Sequence, residues 1–167
     1  SSAASDVYKR QMEIKGDKPE DELYKGRISY LLGENKDAIS YLEKAKEHKQ
    51  MLASYYLGLA YDANGDSDKA KKCIAEYIKS GVATSYDLYE LGMQEMQDGN
   101  YKNALTYFNS GLELEKVPNK QNLMKSAIAA YEYSGDFDSA KKMMKEYLKA
   151  YPDDEEAKHE NTFLETR

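Results

Sequence analysis

Tryptophan is missing from this 167-residue chain, cysteine occurs once, and proline and phenylalanine three times each. With Cys73 as the only thiol, no disulfide can form within the chain. Its expected role is that of a small residue packed in a helix. No run of about 18 apolar residues occurs, so no segment is expected to span a bilayer as a helix. Basic clusters are missing too. Acids outnumber bases 30 to 24, and no stretch of Lys and Arg is long enough to track a phosphate backbone, so nucleic acid is not an expected partner.

Signs of catalysis are equally scarce. His48 and His159 lie far apart in highly charged segments, without a Cys or carboxylate at metal-ligand spacing. No Gly-rich phosphate loop, nucleophile elbow or Cys–His pair is present. The acidic stretches DSDK (66–69) and DDEE (153–156) stand where helices are expected to begin, and there carboxylates meet the positive end of the helix dipole. The sequence therefore predicts no enzyme, metal or cofactor.

What the chain does have is Ala, Leu, Lys, Glu and an excess of tyrosine, 16 in all. With so little proline, that composition favours helix. Charges of both signs alternate in EKAKEHK (43–49) and KKMMKEYLK (141–149), as on solvated helix faces.

An internal repeat organises these helices. Four segments carry a Gly and, five residues later, an Ala: GENKDA (33–38), GDSDKA (65–70), GNYKNA (99–104) and GDFDSA (135–140). The glycines are 32, 34 and 36 residues apart. Gly suits the left-handed residue that ends a helix, and Asp or Asn next to it suits the N-cap of the following one. Asp66, Asn100 and Asp136 fit that capping role. Glu34 fits it poorly, so Asn35 is expected to serve instead.

Upstream of the glycines lies a helical stripe, as in YYLGLAYDANG (55–65), where Gly58 allows close helix approach. Downstream of each Ala, residues four and seven further on form a second buried face: Leu42 and Ala45, Ile74 and Tyr77, Phe108 and Gly111, Met144 and Tyr147. Helices are predicted near 20–32, 36–48, 51–63, 67–79, 85–97, 101–115, 121–133 and 137–150, with a closing helix near 153–164. In that last helix Ala157, Phe163 and Leu164 are expected to cover the final repeat.

This register resembles the tetratricopeptide repeat family. The resemblance is carried by LG at 57–58 and 91–92, by G-x-Y/F at 99–101 and 135–137, by the alanine series, and by YLKAYPDDEEA (147–157). It covers about residues 19–160, and its first copy is the weakest, with Lys25 and Ser29 where Leu and Tyr are usual. It implies an all-α fold, a right-handed superhelix of about four helix–turn–helix repeats (about 19–50, 51–84, 85–120 and 121–152) with a capping helix at 153–165. It also implies that the first helix of each pair lines a concave groove. The groove-facing positions here are Leu23, Arg27 and Tyr30, then Tyr55, Leu59 and Asp62, then Tyr86, Tyr89, Met93 and Met96, and last Lys125, Ala129, Glu132 and Tyr133. Of these, Arg27, Tyr30, Tyr55, Leu59, Tyr86, Tyr89, Met93 and Met96 are the expected partner-binding residues, with packing between neighbouring helices as their other possible role. Tyr and Met offer contact area that adapts to a partner at small entropic cost.

Family members that grip a C-terminal carboxylate use Lys, Asn and Arg. The corresponding places hold Leu23, Arg27, Tyr55, Tyr56, Leu59 and Tyr89, so Arg27 alone matches that clamp. A non-catalytic scaffold for a protein or peptide, held mostly by apolar contacts, is the expected function, in the setting of a bacterial cell-envelope protein. The alternative is the repeat portion of an intracellular regulator or sensor with its effector domain upstream.

The segment SSAASDVYKRQ (1–11) resembles the in-frame translation of a sequencing adapter. The expectation is a fragment whose native part begins near Met12, with 12–18 the stub of an upstream element. Compartment and oligomeric state are left open by the sequence.

Overall fold

The computed structural model describes residues 18–167 together with Val7, Arg10, Met12 and Gly16. The adapter-like segment and the stub that follows it lie almost wholly outside the described residues. Among those residues nine helices are delimited: α1 (Pro19–Leu31), α2 (Asn35–Glu47), α3 (Met51–Ala63), α4 (Ser67–Lys79), α5 (Ser85–Gln97), α6 (Tyr101–Leu112), α7 (Lys120–Tyr133), α8 (Phe137–Ala150) and α9 (Glu155–Leu164). The chain divides into two compact units, Ser1–Ala83 with α1–α4 and Thr84–Arg167 with α5–α9.

Gly65 shows how the repeat makes a hairpin. Its φ of +87° lies in the left-handed region that glycine enters without steric cost. Its N–H donates to the Asp62 carbonyl at 2.9 Å, and the Asp66 N–H donates to the Tyr61 carbonyl at 2.8 Å. Those two bonds are a Schellman closure of α3. The Asp66 carbonyl then accepts from the Ala70 N–H at 3.0 Å and opens α4. One residue thus ends a helix and starts the next, and the backbone bonds at Gly33, Gly99 and Gly135 repeat the pattern.

The expected side-chain caps are corrected in three places. Asp136 does cap, accepting from the Ser139 N–H at 3.1 Å. Asp66 and Asn100 make no side-chain cap. The Asp66 carboxylate turns back to Asn64 instead. Asn35 lies inside α2 rather than ahead of it, and its amide donates to the Ala63 carbonyl at 3.2 Å. A full capping box forms elsewhere: Thr84 accepts from the Asp87 N–H at 3.2 Å, while Asp87 accepts from the Thr84 N–H at 2.8 Å.

Within a hairpin the two helices meet at a glycine. A Cβ on Gly92 would lie 2.3 Å from Cε1 of Phe108, and Gly26 and Gly58 stand in the same relation to Leu42 and Ile74. The fourth hairpin has Ile128 at this place, and Met144 holds the position opposite. All eight second-helix residues expected to be buried are buried. In the first unit the core gathers Ala38, Leu42, Ala45, Ala53, Leu57, Ala60, Tyr61, Ala70 and Cys73. In the second, one cluster centres on Ala104, Phe108, Leu123, Ala127 and Ala130. Another centres on Met124, Ile128, Ala140, Met144, Tyr147, Ala157 and Leu164.

In the weakest copy Lys25 is buried along its stem, with its ammonium 5.7 Å from the centre of the Tyr41 ring. Cover of the last hairpin by α9 comes from Ala157 and Leu164, seven residues apart and therefore on one stripe. Phe163 does not share it, a correction to the expectation. It lies about 100° further round the helix, is 45% exposed and stacks under the Arg167 guanidinium.

Candidate functional site

The expected binding residues fall into two sets, one in each unit. In the first unit Arg27 is exposed on α1, its guanidinium 4.9 Å from the Tyr56 ring centre on α3. Tyr30 is half-buried, one turn further along α1, and meets the edge of Tyr56 at 6.5 Å. Burial, with Asp62 and Tyr56 nearby, raises the Tyr30 hydroxyl pKa above its ordinary value. Tyr55 turns the other way. It is 8% exposed and packs on Tyr77 at 5.3 Å. Leu59 is half-buried. Tyr56 thus belongs with Arg27 and Tyr30, and its signal was its place among the carboxylate-clamp positions.

In the second unit Tyr86 is 55% exposed near the start of α5. Tyr89, Met93 and Met96 are half-buried and pack against the Phe108 cluster. The rings of Tyr89 and Phe108 are 6.2 Å apart, and the Ser126 hydroxyl on α7 approaches the Met93 sulfur at 3.6 Å. Those three side chains fill space between helices of their own unit, while Tyr86 stands clear.

A third place was not singled out in the sequence. Between α7, α8 and α9 lies a cleft of about 240 Å³, lined by Lys125, Ile128, Ala129, Glu132, Met144, Tyr147, Glu156, Ala157 and Glu160. Three of these, Lys125, Ala129 and Glu132, are groove positions of the fourth repeat. Lys125 reaches Asp154 at 3.1 Å and Glu156 at 3.0 Å. Burial, then the charge and hydrogen bond of Glu160, push the Glu132 carboxyl up to about 7. Its Oε1 is buried without a hydrogen-bond partner. The available signal was Glu156 and Glu160 at i, i+4 on α9, where a like-charge pair is unfavourable.

Elsewhere the chemistry is quiet. Cys73 is buried, and burial raises its thiol pKa, away from the reactive thiolate. The His48 ring pairs with the Lys44 carbonyl at 3.0 Å on an exposed helix end. Among the described residues no group of three or more His, Cys, Asp and Glu is gathered to hold a metal. No helix among them is long and apolar enough to cross a membrane.

The tetratricopeptide repeat family model matches residues 52–80 and 121–154, the second and fourth hairpins. No curated protein matches the sequence. Among solved structures, MamA is 24% identical with a TM-score of 0.63, over 87% of this chain and 85% of its own. YrrB, described as a TPR protein with an unusual peptide-binding site, is 17% identical with a TM-score of 0.61, over 96% and 82%. A TPR repeats protein from Bacteroides fragilis is 13% identical with a TM-score of 0.55, over 99% and 90%. At these identities the likeness speaks for the fold. With the repeat matched at two segments and glycine-closed hairpins running through both units, this chain carries the tetratricopeptide repeat and its all-α fold.

Proposed function

We propose that the chain is a non-catalytic scaffold that holds a protein or peptide partner on the first helices of its hairpins. The observation that carries this reading is the exposure of Arg27 on α1, set against the half-buried rings of Tyr56 and Tyr30, and of Tyr86 on α5. Tyr and Arg are the residue types that most often anchor interfaces, because each joins a broad apolar surface to a polar tip. Tyr89, Met93 and Met96 shape the floor beneath such a partner, since they are half-buried against Phe108 and its neighbours. Contact is mostly apolar, and the net charge of −6 disfavours nucleic acid. The description of YrrB as peptide-binding and the habits of the family support the same reading.

Photo-cross-linking tests it. A benzophenone side chain placed at Tyr86 or Arg27 is expected to capture a discrete partner. One placed at Lys72 or Lys141, exposed or half-exposed on second helices, is expected to capture none. Equal capture from both sets contradicts the reading. The bacterial cell-envelope setting is a proposal from the family resemblance alone, and the upstream gene sequence tests it. A lipid-anchoring signal supports it, while a DNA-binding or catalytic domain favours the regulator or sensor.

A further inference from the structure

We propose that the cleft between α7, α8 and α9 is a docking site for the alkylammonium end of a lysine side chain presented by the partner. The floor and walls are apolar, made by Ile128, Ala129, Met144, Tyr147 and Ala157. The rim is mostly acidic, with Glu132 on α7 and Glu156 and Glu160 on α9. An apolar slot with carboxylates at its mouth matches a side chain whose stem is hydrocarbon and whose tip is cationic. At about 240 Å³ the cleft is smaller than the ~300–1,000 Å³ typical of pockets for drug-sized ligands. It has the scale of one long side chain.

The cleft's own cation neutralises only Glu156 of this rim. The ammonium of Lys125 is drawn to Asp154 and Glu156 at the N-terminal end of α9. Glu132 and Glu160 sit one helix apart with no cation paired to either among the described residues, and Oε1 of Glu132 is buried without a donor. Two carboxyls in a partly dry site without a positive charge are unfavourable for the fold. A proton relieves that cost near neutral pH, and an incoming ammonium relieves it equally well. The titratable groups that line the cleft with Glu132 are Lys125 on its own helix, Tyr147 on α8, and Glu156 and Glu160 on α9. Binding should therefore strengthen as pH rises through the Glu132 pKa of about 7.

The inference rests on the scaffold reading only for the source of the lysine; the amine chemistry stands on the cleft. The test is an amide-resonance titration of the full chain with acetyl-Gly-Lys-Gly-amide, beside the same peptide carrying norleucine. The expected result is saturable shifts confined to α7 and α9, several-fold tighter at pH 8 than at pH 6. They should be absent with norleucine and weakened at least tenfold in E132Q/E160Q. That double variant removes a repulsion and keeps side-chain shape, and circular dichroism verifies that it folds. No saturable shift at pH 8, an equal response to norleucine, or unchanged binding by the double variant would overturn the proposal. Failure here leaves capture at Tyr86 untouched, and failure at Tyr86 leaves the amine titration untouched.

Discussion

The hydroxyl of Tyr147 donates to the carboxylate of Asp154 at 2.5 Å, joining the last buried position of α8 to the residue that caps α9. Tyr147 is wholly buried and accepts a second bond from Gln121 at 2.9 Å. Asp154 also takes the Ala157 N–H at 3.0 Å and the Lys125 ammonium at 3.1 Å. The Tyr147 bond, then the backbone bond and Lys125, lower its carboxyl pKa to about 2. A lowered pKa contributes stability that is fully present above the ordinary value near 4 and lost as pH falls through the folded one. The second unit should therefore lose resistance to urea between about pH 4 and pH 2. In Asp154→Asn that part of the slope should vanish. An unchanged slope between the two proteins would show that the contact is not held in solution.

Glu132 should act with the opposite sign. Its folded pKa of about 7 lies above the ordinary glutamate value, so its contribution is complete at low pH and lost as pH rises through 7. Thermal midpoints of the native chain should fall from pH 5 to pH 8. Those of Glu132→Gln should stay flatter and stand higher at pH 8.

Lys49 is the one non-glycine residue with positive φ, +60°, among the described residues. It closes α2 as Gly65 closes α3, with its N–H on the Lys46 carbonyl and the Gln50 N–H on the Ala45 carbonyl. A left-handed side chain costs about 1–2 kcal/mol, and glycine's freer unfolded chain takes back about 0.4–1. Lys49→Gly should stabilise the first unit by about 0.5–1 kcal/mol in urea denaturation. A loss of stability would mean that the Lys49 side chain contributes more than its backbone strain costs.

Gly92 should tolerate no side chain. In Gly92→Ala the added Cβ would lie 2.3–2.8 Å from three ring atoms of Phe108, which is wholly buried and has nowhere to move. Overpacking outweighs the roughly 1 kcal/mol of helix propensity gained, leaving a net loss of about 1–2 kcal/mol. Adding Phe108→Leu should recover part of that loss, although the same change alone is destabilising. A purely additive double variant would contradict the contact.

How much of this was legible in the sequence depends on how local the cause is. The hairpins were legible because the glycine after each first helix and the residue behind it form a complete backbone device, written four times in one register. Helix α6 ends at Leu112, three residues earlier than periodicity suggested, and the chain turns there towards Pro118. Side-chain caps were less legible, because Asp66 has a competing partner in its own turn, Asn64, and Asn35 one at the end of the next hairpin's first helix. Of the binding set, the sequence placed all eight residues on first helices but not their depth. Tyr55 and Tyr56 are adjacent, yet Tyr55 is buried against Tyr77 while Tyr56 stays half-buried at the edge of the core. The cleft was out of reach because Glu132 and Glu160 are 28 residues apart and meet only through the docking of α9.

The claim that first helices carry the partner is tested most directly by titration calorimetry of the cross-linked partner, once identified, against single alanine variants. Tyr86 is exposed and anchors no core cluster, so Tyr86→Ala should leave the fold intact and weaken binding about tenfold or more, the scale of an interface anchor. Lys72→Ala, on the second helix α4, should bind as the native chain does. Full affinity in Tyr86→Ala together with a loss in Lys72→Ala would place the partner on the opposite helices and contradict the account.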